Sequence, residues 1–193
     1  MKLKALSLKD LEQVRQWRNL RLEMLRTPFP LTEEQQAKFY SEVICNRQSN
    51  ARYWGIWPSK KRTTYPDTFE YCQSVLIGMA GLENIQWENR LCEISLLLTP
   101  GAMDEYGTKS LSLLLHEGFM NMNLENIFTE VYECNPHLNF WINMAGEYNT
   151  CFVRLPNRKY YNGEYWPSYY INFNKEDYLE HENTILEPTQ TLD

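Results

Sequence analysis

The feature that most constrains this chain is a strand, a long amphipathic helix and a second strand laid end to end in its middle. Asn89-Arg90-Leu91-Cys92-Glu93-Ile94-Ser95-Leu96-Leu97-Leu98 reads as a strand that Thr99-Pro100-Gly101 terminates. Leu111, Leu114, Leu115 and Phe119 then recur at helical spacing, which predicts a helix over about 107–121. Ile127 to Cys134 reads as the next strand, and Pro136 to Ala145 as a helix with proline in its first turn. Such a βαβ unit sets a helix N-terminus beside the carboxyl end of a parallel strand. Unpaired backbone N–H groups and the helix dipole suit an anionic phosphate there.

The flanks add elements of both kinds. Leu3 to Leu6 reads as a short strand, and Ser7 as the N-cap of a helix through Leu11, Val14 and Trp17. Arg18-Asn19 marks a break before a second helical stretch to about Leu25, and Pro28 and Pro30 fix an extended loop. Thr32 and Gln35 form a capping box for a helix through Phe39, Tyr40, Val43 and Ile44. Arg52 to Trp57 and Ser74 to Leu82 read as strands, with Pro58 to Glu70 an exposed hairpin loop carrying solvated Lys60, Lys61 and Arg62. Gln86 to Glu88 fits a turn. Two last strands fall near Asn149 to Pro156 and Trp166 to Phe173, joined at Asn162-Gly163, and the polar tail after Tyr178 is expected to fray. Helices between strands in the middle and antiparallel strands at both ends predict an α+β fold, a mixed sheet flanked by helices.

At 193 residues, 43% of them hydrophobic, the chain fills one core and one domain. It holds no apolar run of about 18 residues, and its N-terminus lacks a signal-peptide pattern. Cys45, Cys72, Cys92, Cys134 and Cys151 are scattered without C-x-x-C spacing, which points to buried free thiols in a reducing cytoplasm and to no metal site. A formal net charge of −6 disfavours broad nucleic-acid binding and suits a cationic partner such as an amine.

Gly78-Met79-Ala80-Gly81-Leu82, followed by Glu93-Ile94-Ser95-Leu96-Leu97-Leu98-Thr99-Pro100, resembles the GNAT acyltransferases. It is most similar to the branch that acetylates ribosomal-protein N-termini, polyamines and nucleotide-linked amino sugars. Tyr106-Gly107-Thr108-Lys109-Ser110-Leu111, Asn126 to Tyr132, Asn135-Pro136 and Gly146 continue the resemblance in order. Trp17-Arg18-Asn19 and Tyr161-Asn162-Gly163-Glu164-Tyr165 extend it to both ends, covering roughly Leu3 to Tyr178. It implies one domain over 1–178 with a polar tail at 179–193. The implied sheet has about seven mostly antiparallel strands, with a V-shaped splay at the cofactor site. It also implies a cytoplasmic enzyme that passes an acyl group, most simply acetyl from acetyl-CoA, to a primary amine by direct attack.

By the same resemblance Ser95, Leu96, Leu97 and Leu98 pair with the pantetheine arm, and Tyr106, Gly107, Thr108 and Lys109 flank the pyrophosphate. Glu93 takes the place of the general base. Asn135 bonds the pantetheine arm or an ordered water. Two departures stand out. The family's phosphate loop aligns on Ala102-Met103-Asp104-Glu105-Tyr106-Gly107, where only the last glycine survives and two carboxylates intrude. The stretch Phe140-Trp141-Ile142-Asn143 lacks the tyrosine that often protonates the leaving thiolate. A domain that only binds a protein or small molecule, or an acyltransferase with a donor other than CoA, would share these departures.

Residue by residue, plainer readings stand beside these. Glu93 also fits a strand-edge charge facing solvent, Asn135 a strand terminator, and Gly107-Thr108 an ordinary loop and N-cap. His116 reads as solvated, His137 as lying near the cleft, and Cys134 as a buried thiol. The hairpin aromatics Tyr160, Tyr161, Tyr165, Trp166, Tyr169 and Tyr170 suit packing, a homodimer contact or substrate stacking.

Overall fold

The computed structural model describes residues 1–59 and 75–186. Its elements begin with β1 (Lys2–Lys4), α1 (Leu8–Asn19), a 3-10 turn at Leu22–Met24, α2 (Glu33–Phe39) continued by a π turn, and β2 (Arg52–Trp57). β3 (Gly78–Gln86), β4 (Leu91–Leu98), α3 (Met103–His116), β5 (Asn126–Tyr132) and α4 (Leu138–Glu147) follow. The chain then runs through β6 (Phe152–Tyr161), β7 (Glu164–Asn174) and α5 (Lys175–Leu186).

The described strands form one seven-stranded sheet in the order β1-β2-β3-β4-β5-β7-β6. Every neighbouring pair is antiparallel except β4 and β5. This is the mixed, mostly antiparallel α+β architecture that the sequence predicts. The parallel pair is short: it joins Leu91 to Asn126, Cys92 to Ile127 and Glu93 to Phe128, then ends. Both strands run on, β4 to Leu98 and β5 to Tyr132, so they diverge beyond Glu93 and open a fork in the sheet.

Strand alternation sorts side chains onto two faces. Cys92, Ile94 and Leu98 of β4 join Leu111, Leu114, Leu115 and Phe119 of α3 and Trp141, Met144 and Ala145 of α4 in the larger core. Leu97 joins Leu11 and Val14 of α1 on the opposite face, where Phe39, Tyr53 and Met79 pack. Glu83 of β3 and Glu93 of β4, directly opposed in register, fall on this second face.

Local signals act as read. Ser7 with Asp10, and Thr32 with Gln35, make complete capping boxes. Asn162 and Gly163 take positive φ in the β6–β7 turn, the geometry a two-residue hairpin needs.

Several expectations are corrected. α3 begins at Met103, not near Gly107, because Asp104 and Glu105 in its first turn complement the helix dipole and nothing there breaks a helix. The second helical stretch is a single 3-10 turn. β3 starts at Gly78; Ser74, Cys72 and the loop from Lys60 to Glu70 lie outside the described residues. The segment after Tyr178 is helical through Leu186 rather than frayed. Asn174 Oδ1 accepts from the Asp177 N–H at 2.8 Å and caps it, and the buried Tyr178 ring packs 5.2 Å from Phe119. Of the four described cysteines only Cys92 is buried; Cys45 and Cys151 are exposed and Cys134 is intermediate, since they fall at element ends rather than on inward strand positions.

Candidate active site

The fork opens into a cleft of about 350 Å³ lined from both faces of the sheet, by Arg26, Glu83 and Glu93 on the α1 side and by Met103 and Trp141 on the other. Its inner end is carboxylate-rich. Glu93, only 8% exposed, sits where the parallel ladder stops. Glu83 lies across from it, and Glu130 of β5 also lines the cleft.

One guanidinium reaches two members of this group. Arg26, from the loop after the 3-10 turn, forms an ion pair with Glu93. Its Nη1 also donates to Glu93 Oε2 at 3.3 Å, and its Nη2 lies 3.9 Å from Glu130 Oε2. The hydrogen bonds to Glu93 raise the Arg26 pKa further above its already high value, so the cation is permanent. Asn84 Nδ2 donates to the same Glu93 oxygen at 3.0 Å. Asn84 reaches Glu93 because β3 bulges between Glu83 and Gln86 and Asn84 takes φ 51°, which re-aims a side chain that alternation would send elsewhere.

Glu130 is held as a carboxylate. Burial alone would raise its pKa, but hydrogen bonds from Arg158 Nε at 2.8 Å and Ser168 Oγ at 2.7 Å lower it, with Arg26 adding to the effect. Tyr132, buried at the end of β5, lies beside the Arg26 guanidinium. Burial raises its phenol pKa, so at neutral pH it keeps its proton.

The residues singled out from sequence divide. Glu93, Ser95, Leu96, Leu97 and Asn135 line the cleft together. Asn135 Oδ1 accepts from the His137 N–H at 2.9 Å, which leaves its Nδ2 donor for the cleft. Leu98, Tyr106, Gly107, Thr108 and Lys109 are not among the lining residues, and Met103 is. Leu98 points into the larger core, Thr108 and Lys109 are exposed, and Tyr106 is half-buried. A Cβ on Gly107 would stand 2.8 Å from Met103 Sδ and 2.9 Å from Phe140 Cε2, so this glycine lets α3 approach α4. His116 is exposed and bonds the Tyr178 hydroxyl at 3.1 Å; His137 is half-buried.

Sequence reasoning passed over Arg26, Asn84, Glu130 and Tyr132. A signal existed for two of them. Phe128, Glu130 and Tyr132 alternate with Ile127, Thr129 and Val131, and a glutamate in such a strand marks a face that is not simple core.

The fork also fits an acyl-pantetheine arm. Beyond Glu93 one edge of β4 has no strand partner among the described residues, so its backbone groups there suit pairing with an extended ligand. The phosphate end is less conventional. Ala102 gives α3 no side-chain cap, which leaves its first N–H groups available, but Asp104 and Glu105 are exposed on that turn.

Comparison with known proteins agrees with this architecture. The family model described as "Acetyltransferase (GNAT) domain" matches residues 1–138. Mutant forms of the spermidine/spermine N-acetyltransferase SpeG from Vibrio cholerae superpose with TM-score 0.75 at 20% identity, covering 94% of this chain and 97% of theirs. The same organism's spermidine N-acetyltransferase in complex with CoA and spermine gives TM-score 0.74 at 20% identity, covering 92% and 97%. No curated protein sequence matches this chain. The fold is that of an acetyltransferase with a forked sheet. The chain belongs to the GNAT acetyltransferase family.

Proposed function

We propose that this protein transfers an acyl group, most simply acetyl from acetyl-CoA, to a primary amine bound as a cation against Glu93, Glu130 and Glu83. The observation that carries this reading is the buried Glu93 carboxylate at the point where β4 and β5 part.

The acyl thioester supplies the electrophilic carbonyl. The free edge of β4 from Ile94 to Leu98 pairs with the extended arm and aims that carbonyl toward Glu93. The carboxylates draw in an ammonium and orient it. A primary ammonium has a pKa near 10, so roughly one molecule in a thousand is nucleophilic at pH 7. Glu93, with Glu83 across from it, takes the proton directly or through water and passes it on to solvent. Paired with Arg26 and Asn84, Glu93 is held in one orientation toward the incoming amine. The Tyr132 phenol holds a proton within the cleft and fills the acid role left open by Phe140 and Trp141 on α4. Asn135 Nδ2 donates to the arm or to a water beside it.

Spermidine and spermine are what the superposable Vibrio cholerae enzymes are named for. A cleft with three carboxylates suits polyamines of that kind. The test is incubation with acetyl-CoA and a panel of amines (spermidine, an amino sugar, a short peptide), with mass spectrometry of the amine and detection of free thiol. One acetylated product with stoichiometric CoA thiol supports the reading. The carboxylates on the first turn of α3 favour a second reading, a donor other than CoA. No CoA binding together with transfer from a simpler thioester would select it.

A further inference from the structure

Resting on the proposed acyl transfer at this cleft, we propose that Lys159 and Cys134 are positioning residues that hold Arg26 over the carboxylates by gripping one backbone carbonyl, that of Glu23. Lys159 comes from β6 and Cys134 from just beyond β5, while Glu23 lies in the 3-10 turn three residues before Arg26. Lys159 Nζ donates to Glu23 O at 2.6 Å and Cys134 Sγ donates to the same oxygen at 3.4 Å.

The expense of this arrangement argues for a task. Lys159 is only 5% exposed on an otherwise open strand, and desolvation lowers its pKa. Its ammonium lies 5.0 Å from the Tyr132 ring centre and 4.8 Å from that of Tyr161, so aromatic faces stand in for much of its lost hydration. Among the described residues Lys159 donates to the Glu23 carbonyl and to no carboxylate, with the Cys134 thiol beside it. The other end of the same loop is fixed from α1. Arg18 Nη1 donates to Phe29 O at 3.1 Å, and Asn19 exchanges hydrogen bonds with the Leu31 backbone at 2.8 and 2.9 Å. Between these two attachments Arg26 reaches Glu93. The grip therefore sets how often the guanidinium, rather than an incoming ammonium, occupies the carboxylates.

Two readouts test this. Hydrogen exchange of the Met24 and Leu25 amides, which bond Arg21 O and Leu22 O at 3.1 Å, reports the turn without any need for turnover. Lys159→Met is expected to speed their exchange about tenfold while β4 and β5 amides stay protected. Lys159→Arg, which keeps the donor, restores slow exchange. With acetyl-CoA and spermidine as probes, Lys159→Met is expected to lower the KM for spermidine several-fold at constant KM for acetyl-CoA, and to have no further effect in an Arg26→Ala background. General loosening of the fold would raise that KM instead. Unchanged exchange at Met24 and Leu25, or a Lys159 effect that persists undiminished without Arg26, overturns the assignment. Absence of turnover in the unaltered enzyme would count against the acyl-transfer reading alone, since the exchange readout still decides the grip.

Discussion

Arg26 and Glu93, 67 residues apart in the chain, form the ion pair at the inner end of the cleft, with Glu130 within reach of the same guanidinium. Arg26 is half-exposed whereas Glu93 is buried, so the cation is the exchangeable partner. An ammonium acceptor must compete with it. Arg26→Ala is expected to lower the acceptor KM by about tenfold, since a charge-assisted hydrogen bond to a carboxylate is worth roughly 1.5–3 kcal/mol and exposure reduces it. Steady-state kinetics against acetyl-CoA and spermidine check this, and a raised acceptor KM would show that Arg26 helps to bind the acceptor.

Asp104 and Glu105 pull in two directions. They stabilise the first turn of α3 through the helix dipole and repel a phosphate brought to the same amides. Asp104→Asn with Glu105→Gln is therefore expected to lower the melting temperature slightly, through a loss of at most about 0.3–1 kcal/mol of unfolding free energy per charge. CoA should bind several-fold more tightly at low salt, with the gain fading as ionic strength rises. Calorimetry at two salt concentrations separates the effects, and unchanged affinity would mean that the pyrophosphate is bound away from this turn.

Gly107 makes a sharper steric statement. Glycine to alanine inside a helix ordinarily stabilises by about 0.5–1 kcal/mol. Here the new methyl would press on Met103 and the Phe140 ring, so Gly107→Ala is expected to destabilise by about 1–3 kcal/mol in denaturant unfolding. A stabilised variant would contradict the close approach of α3 to α4.

Burial, with Arg21 adding to it, lowers the His137 pKa below its ordinary value. In the window below about pH 6.5 the unfolded chain therefore binds a proton that the folded chain resists. The stability tied to a neutral His137 is complete above that pH and declines as pH falls through the folded pKa. Melting temperatures measured between pH 7 and pH 5 should drop less steeply for His137→Asn than for the unaltered protein; parallel curves would assign the acid sensitivity elsewhere.

Much of the fold was legible because its signals are local. Ser7 and Thr32 cap where read, the apolar spacing of Leu111 to Phe119 sets α3, and the alternation along 91–98 places Glu93 opposite the larger core. The start of α3 lies a turn earlier than the apolar spacing predicts, because that spacing begins only at Leu111 while the residues from Met103 on are themselves good helix formers. The site was half legible. The family resemblance points to Glu93 and Asn135, and both line the cleft, but the partners of Glu93 have no such signal. Arg26 arrives from a loop with no periodicity, Asn84 through a bulge, and Lys159 from the far edge of the sheet, and such juxtapositions are set by tertiary packing alone.

The most direct measurement is the pH dependence of kcat for Glu93→Gln beside the unaltered enzyme, with acetyl-CoA and an amine it acetylates. Glutamine keeps the shape and the Asn84 contact distance while removing the charge and the basicity. The account expects kcat at neutral pH to fall by about 10²-fold, within the range a positioned base supplies. The deficit should narrow as pH rises and free amine accumulates, with the KM for acetyl-CoA nearly constant. A Glu93→Gln enzyme that matches the unaltered one in kcat across that range would contradict the placement of acyl transfer at the fork.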